Sequence, residues 1–530
     1  MVRTMLLVDL IKGLEDCKIE GDPRVEVRGL AYDSRRVKPG YLFLAIKGHS
    51  KDGHQFIGEA LERGATSVVI QYDADQERWA KDWKKAQAIV KVKDSREALS
   101  RLSLNFYRPD FNKLTLVGIT GTNGKTTTSY LMESILKEAG KEPGVIGTVN
   151  YRFKGLVKEA PVTTPESLEL MEILREMNHR GITHVIMEVS SHALEQGRVE
   201  GCPFKVRVFT NISRDHLDYH GTMEAYFQAK AKLFNSKGGD GADRSVGIIN
   251  VDLPEGKRLV SIIDIPWLGF GLSEYAHVRA QDIHATRDGI RFRLITPKGE
   301  TEIRSSLLGT FNIYNILAAS GAALALGIGL NQIQRGIEKI KLVPGRMEPV
   351  SNNRGLFIVV DYAHTPDALS KVLETLRPLV SGRIITVFGC GGDRDKGKRD
   401  LMGKVAAQGS DMVIITSDNP RTEDPRGIIR AIEQGIKESG SKTPYQIFED
   451  RRQAIQMAIE VAKPDDLILI AGKGHEHYQI IGTTAREFDD RKVARDLASL
   501  NKSRADLNVE SSRPSAEGHR GDKKDAAQVG

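Results

Sequence analysis

The run Thr120-Gly121-Thr122-Asn123-Gly124-Lys125-Thr126-Thr127 holds the residue types that bind a polyphosphate. Gly121 and Gly124 let backbone N–H groups approach phosphate oxygens, Lys125 brings a point charge, and Thr126 offers a hydroxyl to a magnesium ion. The usual P-loop carries a glycine where this chain has Ile119, so the generic pattern is matched only in its second half. Glu188 ends the apolar run Ile182–Met187, which is where a magnesium site beside a phosphate loop needs a carboxylate. Asp215, His216, Asp218 and His220 suit either a transition-metal cluster or magnesium with an occasional imidazole contact. Further along, Asp361-Tyr362-Ala363-His364, Gly389-Cys390-Gly391-Gly392-Asp393-Arg394, Asp418-Asn419-Pro420-Arg421 and Gly472-Lys473-Gly474-His475-Glu476 each follow an apolar run.

Such residues are useful only if the elements before them bring them to one edge. Leu114, Leu116, Val117 and Ile119 read as a strand entering the phosphate loop; Leu131, Ile135 and Ala139 mark the apolar stripe of the helix that leaves it, and Gly140 suits its C-cap. The runs Phe357–Val360, Ile384–Phe388, Met412–Thr416 and Leu467–Ile470 alternate with helical patterns, which predicts a parallel, doubly wound sheet with its site at the strand ends. Near the start, Tyr41–Ile46 and Ser67–Ile70 read as strands and Phe56–Arg63 as a helix closed by Gly64. The fold class is therefore α/β in three domains. A small N-terminal α/β domain spans 1–110, a central P-loop ATPase-like domain 111–342, and a C-terminal Rossmann-like, doubly wound domain 343–500, opened by the linker-like Val343-Pro344-Gly345-Arg346. The tail 501–530 lacks aromatics and is expected to be disordered.

Composition narrows the partners. Across 530 residues Lys and Arg exceed Asp and Glu by 77 to 70, giving a formal charge of +7 that favours anionic ligands. Aromatics make up 6% and no basic block is interleaved with them, which argues against nucleic acid. Cys17, Cys202 and Cys390 show neither metal-ligand spacing nor a disulfide framework, as suits a reducing cytoplasm. The start lacks a signal-peptide core. Ser305–Gln334 carries no charge, but Asn312, Asn315, Ser320, Asn331 and Gln332 interrupt it, so it reads as a buried helix rather than a membrane insertion.

Taken in order over about residues 25 to 495, the motifs Asp33-Ser34-Arg35, Gly121–Thr127, Thr163-Thr164-Pro165, Glu188-Val189-Ser190-Ser191-His192, Asp215–Gly221, Phe311-Asn312, Asp361–His364 and Asp418–Arg421 make the chain resemble the Mur ligases of peptidoglycan synthesis. The likeness is greatest to members that add meso-2,6-diaminopimelate to UDP-N-acetylmuramoyl-L-alanyl-D-glutamate. The shortened phosphate loop is the form this family carries. The resemblance implies a cytoplasmic ligase that makes an amide from a carboxylate and an amine with ATP and magnesium, through an acyl phosphate. It implies Lys125, His216 and Lys230 as catalytic residues, with Thr126, Glu188, His216 and Lys230 about the metal. Lys230 would be carbamylated by carbon dioxide; Lys232, two residues on, is the alternative register. Gly121 to Thr127 with Asn312, Arg346, Asp361 and His364 would hold ATP, His364 near the adenine. Tyr32, Ser34, His49, Ser50 and Lys51 would hold the uridine end of the substrate, and Thr163, Thr164, Ser190, Gln196 and Arg198 its muramoyl-peptide part. Diaminopimelate would meet Arg394, Asp418, Asn419, Pro420, Arg421, Gly472 and Glu476: Arg421 can grip its extra carboxylate with a fork of donors, and Glu476 would face the distal ammonium. Two other readings remain at this level, a folylpolyglutamate synthetase-like ligase and a P-loop switch or nucleic-acid-dependent ATPase.

Overall fold

The computed structural model describes residues 4–48, 51–73, 83, 85–235 and 244–499. His49, Ser50 and the tail 501–530 lie outside the described residues. Three α/β units follow one another, each built on its own sheet. The first sheet has five strands in the order Lys18–Gly21, Ala88–Val92, Ala65–Gln71, Tyr41–Leu44, Gly29–Ala31, parallel except for the first. Its helix Ser95–Tyr107 lies on Ser167–His179 of the next unit, where the Ser100 and Ser167 hydroxyls meet at 2.7 Å.

The central sheet is eleven strands wide. Its middle is parallel, with Thr115–Thr120 between His184–Glu188 and Phe204–Phe209, so the phosphate loop and Glu188 leave neighbouring strands at the same edge. The strands are buried on both faces, and Val117, Ile119, Val206 and Val208 pack against Leu131, Ile135, Ile313 and Leu317 on one side. Leu116, Met187 and Phe209 fill the other with Leu170, Met171 and Phe234. The antiparallel ribbon Val278–Thr286, Gly289–Thr296, Gly299–Ser305 extends the sheet at the far edge. Phe311–Ala325 is the uncharged buried helix expected from the sequence, and no helix among the described residues is long and apolar enough to cross a membrane.

The third sheet carries the four anticipated parallel strands, ordered Phe357–Asp361, Leu467–Ala471, Ile384–Phe388, Met412–Thr416, with Tyr445–Phe448 parallel at one edge and Glu348–Pro349 antiparallel at the other. Three of them are buried along their whole length, as a sheet covered on both faces requires. Three of the helices between begin on side-chain caps: Thr365 before Pro366, Asp424 before Pro425, and Asp450 before Arg451. Val343, expected in a linker, is instead fully buried in the central core, so the junction between the second and third units is a tight turn rather than a free tether.

One ion pair beneath the third sheet's strand ends is completely buried. Arg451 Nε and Nη2 donate to Asp490 at 2.8 Å each, and the same guanidinium reaches the carbonyls of Ser417 (3.4 Å) and Ala471 (2.9 Å). It therefore ties together the loops that carry Asp418–Arg421 and Gly472–Glu476. Arg451→Met should leave Asp490 as an unpaired buried carboxylate and destabilise this unit by about 3–5 kcal/mol. Hydrogen exchange of the Leu467–Ala471 amides checks this; unchanged protection would mean that the pair stabilises nothing.

Candidate active site

The phosphate loop is shaped by contacts that no side chain could share. Gly121 has φ +146° and a Cβ there would sit 1.9 Å from Thr210 Oγ1; Gly124, at φ +89°, would place one 2.3 Å from Asn315 Oδ1. Thr210 Oγ1 donates to the Asn123 carbonyl (2.6 Å), Asn211 Oδ1 accepts from the Asn123 N–H (2.9 Å), and Thr122 Oγ1 meets the Tyr226 hydroxyl at 3.1 Å. Lys125 folds back so that Nζ donates to the carbonyls of Gly121 (2.8 Å) and Thr122 (2.9 Å). Burial lowers its pKa, against the pull of Glu188 and Asp215. Thr127 is buried in the first turn of the helix Lys125–Glu138.

Glu188, 1% exposed, is the hub of the next layer. Its Oε2 accepts from Thr126 Oγ1 (2.9 Å) and Thr148 Oγ1 (2.8 Å), and its Oε1 from the Thr148 N–H (3.1 Å). One carboxylate and one hydroxyl, hard oxygen donors side by side at a phosphate loop, fit magnesium, which takes few protein ligands and fills the rest of its sphere with phosphate and water. Among the described residues no three His, Cys, Asp or Glu side chains gather as a metal cluster. Asp215, His216, Asp218 and His220 do not converge on one point: His220 Nε2 lies 2.9 Å from Ser191 Oγ, and His216 Nε2 lies 3.3 Å from Asp215 Oδ2. Burial holds His216 down to about 4 against the opposing pull of Asp215, leaving a neutral imidazole beside His192.

Lys230 and Lys232 part company. Lys230 is 1% exposed with Nζ 4.3 Å from the centroid of the Tyr226 ring, whereas Lys232 pairs at the surface with Glu195 at 2.7 Å. Burial, and then repulsion from Lys125, lowers the Lys230 pKa far below the usual lysine value.

The muramoyl-peptide candidates form one network with Glu188. Thr163 Oγ1 meets Thr148 Oγ1 at 3.1 Å; Thr164 Oγ1 donates to the Glu188 carbonyl (2.8 Å) and accepts from the Ser190 N–H (3.0 Å). Arg198 reaches the Thr164 carbonyl (2.9 Å) and Gln196 Oε1 (2.7 Å). The uridine candidates are less gathered. Tyr32 donates to Glu169 of the central unit at 3.1 Å, Ser34 to Glu59 at 2.8 Å, and Lys51 is exposed.

The third unit faces the phosphate loop. Arg346 Nη2 donates to Thr126 Oγ1 at 3.3 Å while its guanidinium lies over the Tyr362 ring at 4.5 Å, and Asn123 Nδ2 donates to Asp367 at 3.3 Å. Asn312 is buried near the loop, its Nδ2 donating to the Leu308 carbonyl and its Oδ1 accepting from Asn315. Asp361, raised by burial, has both oxygens occupied by the N–H groups of Met347 and Ala363 at 2.7 Å, so it fixes the loops carrying Arg346 and His364. His364 Nδ1 lies 2.9 Å from the Tyr362 carbonyl, and burial lowers its pKa.

At the amine end, Asn419 Nδ2 donates to Glu476 Oε2 at 2.8 Å, and Gly472 lies so close to Asp418 that a Cβ would meet its Oδ2 at 2.6 Å. Arg421 Nη1 donates to the Gly392 carbonyl at 2.8 Å, packed where Pro420 closes on the same glycine, and Arg394 is exposed beside it. Sequence reasoning gave no role to Thr148, Thr210 or Lys473. Thr210 and Thr148 follow apolar strands as Glu188 does, and Lys473 stands in the strand-end run Gly472–Glu476, so each had a positional signal but no visible partner.

Comparison with known proteins follows the same three-part division. The Mur ligase family catalytic domain profile matches residues 26–107, the Mur ligase middle domain residues 119–323, and the Mur ligase glutamate ligase domain residues 345–474. The chain is 47% identical over 503 residues to the UDP-N-acetylmuramoyl-L-alanyl-D-glutamate–2,6-diaminopimelate ligase of Geobacter metallireducens, covering 92% of this chain and 97% of that protein. A solved structure of a ligase of that name matches at 34% identity with a TM-score of 0.64, over 94% of this chain and 99% of the other. Mycobacterium tuberculosis folylpolyglutamate synthase, complexed with ADP and AMPPCP, shares the fold at 18% identity and a TM-score of 0.57, over 71% of this chain and 92% of that one. The chain belongs to the Mur ligase family.

Proposed function

We propose that this protein is the ATP-dependent ligase that adds meso-2,6-diaminopimelate to UDP-N-acetylmuramoyl-L-alanyl-D-glutamate, in the cytoplasm. The observation that carries the reading is the meeting of two units: Arg346 of the third donates to Thr126 of the phosphate loop, which supports a nucleotide site adjoining a pocket of Asn419, Arg421 and Glu476. A carboxylate resists nucleophiles because its oxygen is a poor leaving group. Transfer of the γ-phosphoryl group to it gives an acyl phosphate and ADP; the amine attacks the carbonyl carbon, loses a proton, and phosphate departs from the tetrahedral adduct.

Each residue in this scheme has a part that its position supports. Lys125 neutralises the phosphoryl oxygens as charge moves, and the loop's N–H groups orient them. Thr126 and Glu188, with neutral His216, would hold magnesium, which when bound offsets phosphate charge. Lys230 would carry the carbamate. Asn312, Arg346 and His364 bind the nucleotide, with Asp361 setting the loop. Thr163, Thr164, Ser190, Gln196 and Arg198 seat the muramoyl peptide, and Tyr32, Ser34, His49, Ser50 and Lys51 its uridine end. Asp418 to Arg421, Arg394, Gly472 and Glu476 select the amine. With domain limits at 110, 342 and 500, the uridine end falls to the first unit, the phosphate loop and the muramoyl peptide to the second and the amine to the third, while the nucleotide is shared between the second and third.

Phosphate release from ATP is expected only when both the UDP-muramoyl dipeptide and meso-diaminopimelate are present, with lysine, ornithine and glutamate poor substitutes for the latter. A steady-state phosphate assay with each component omitted in turn measures this. Turnover without an acceptor, or stimulation by DNA or RNA, would sink the ligase reading.

A further inference from the structure

Lys473 stands in the loop after Leu467–Ala471 and is 0% exposed. Its Nζ donates to Asn419 Oδ1 (3.0 Å) and Glu476 Oε2 (3.2 Å) and lies 3.8 Å from Asp418 Oδ1. Asn419 Oδ1 also accepts from the Ile480 N–H at 3.0 Å, so its amide can point only one way, with Nδ2 toward Glu476. Both donors to Glu476 sit on Oε2, and no protein donor among the described residues reaches Oε1. One carboxylate oxygen is thus fixed from behind and the other is left for a ligand.

We infer that Lys473 is a specificity-determining residue: its buried ammonium sets the charge of the amine pocket so that an amino acid with a zwitterionic far end is favoured over one with a cationic far end. This rests on the ligase reading above. Asp418 and Glu476 bring two negative charges to the pocket floor, Lys473 cancels one, and the Arg451–Asp490 pair beneath adds none. With Arg394 exposed and screened by solvent, one carboxylate then balances one guanidinium, that of Arg421. A distal ammonium answers Glu476 and a distal carboxylate answers Arg421, so diaminopimelate leaves every charge matched. Lysine supplies the ammonium alone and leaves Arg421 unanswered. Without Lys473 the pocket gains a net negative charge at low local dielectric, which draws a cation in and pushes a carboxylate out. Lys473 acts through Glu476 and Asn419 and is a positioning residue, not a catalytic one.

The test is steady-state phosphate release by the full chain, with ATP and the UDP-muramoyl dipeptide fixed and either meso-diaminopimelate or lysine varied. In Lys473→Met and Lys473→Gln the ratio of kcat/KM for diaminopimelate over lysine should fall at least tenfold while the KM for ATP stays within twofold. Asp418→Asn, which removes a carboxylate beside an unchanged Lys473, should move the ratio the other way. An unmoved ratio, an equal loss on all substrates, or a wild-type ratio in Lys473→Gln overturns the inference. If the Lys473 variants do not fold, Asp418→Asn decides, and an unmoved or falling ratio overturns it. A wild-type protein that does not use diaminopimelate sinks the ligase reading itself; one that does, with unmoved ratios, sinks only this inference.

Discussion

Lys230→Ala is expected to slow ligation by about 10²–10³-fold, the scale for deleting one preorganised electrostatic contact at a reacting group. The expectation begins with burial. A lysine with 1% exposure, no hydrogen-bond partner for its ammonium among the described residues, and Lys125 as a like-charged neighbour is driven toward the neutral amine. The neutral amine is the form that carbon dioxide can carbamylate, and the product is an anion. Carbamylation would turn the Lys125–Lys230 repulsion into attraction and would put an anionic oxygen within electrostatic reach of His216. Cavity formation alone also weakens a protein, so the decisive readout is rescue: short-chain carboxylates added to Lys230→Ala should restore part of the activity if the missing group is a carboxylate. Retained full activity refutes the assignment. Lys232→Ala, which breaks an exposed pair at 2.7 Å, should change the rate little, since such pairs contribute about 0–1 kcal/mol.

Ile384–Phe388 and Met412–Thr416 begin and end where the apolar runs do. Strands covered on both faces leave a continuous hydrophobic signature, and the polar residue that follows marks the site edge. The antiparallel ribbon Val278–Ser305 left no such signature, because Gly289–Thr296 alternates in burial and the strands on either side of it each carry a run of consecutive exposed residues. The site was legible where a single motif carries a function, as at Gly121–Thr126. It was illegible where a contact is made across the fold. Thr148 and Glu188 are 40 positions apart, and Thr210 and Asn123 are 87 apart. Arg451 drew no reading from the sequence, and Lys473 stood in a strand-end run without an assigned partner; each is wholly buried beside a carboxylate that the fold brings to it, Asp490 from 39 positions away and Glu476 from the same loop. Asp361 shows the opposite error of emphasis: a motif aspartate beside the nucleotide site has both oxygens turned to backbone N–H groups.

Arg421→Ala should cut kcat/KM for meso-diaminopimelate by roughly 30-fold to several-thousand-fold, corresponding to about 2–5 kcal/mol for truncating one partner of a desolvated charge pair, and should change the KM for ATP less than threefold. The backbone of Arg421 is pinned on both sides, its N–H donating to the Ile480 carbonyl at 3.1 Å and its carbonyl accepting from Gly482 at 2.8 Å. Its φ of +52° is a left-handed conformation that alanine, which also carries a Cβ, adopts at similar cost. The substitution therefore removes the guanidinium without relaxing the loop. Among the described residues only Nη1 is engaged by a protein acceptor, the Gly392 carbonyl at 2.8 Å, so the remaining N–H groups are left to form the fork that a distal carboxylate needs. Two comparisons separate recognition from general damage. Arg421→Lys keeps the charge and loses the fork, and should recover only a minor part of the lost activity. Lysine, which lacks the distal carboxylate, should lose far less than diaminopimelate in Arg421→Ala, because the interaction being deleted was never available to it. Steady-state phosphate release with each amine gives both ratios; an equal loss for diaminopimelate, lysine and ATP would make Arg421 a turn residue and move amine selection elsewhere in the pocket.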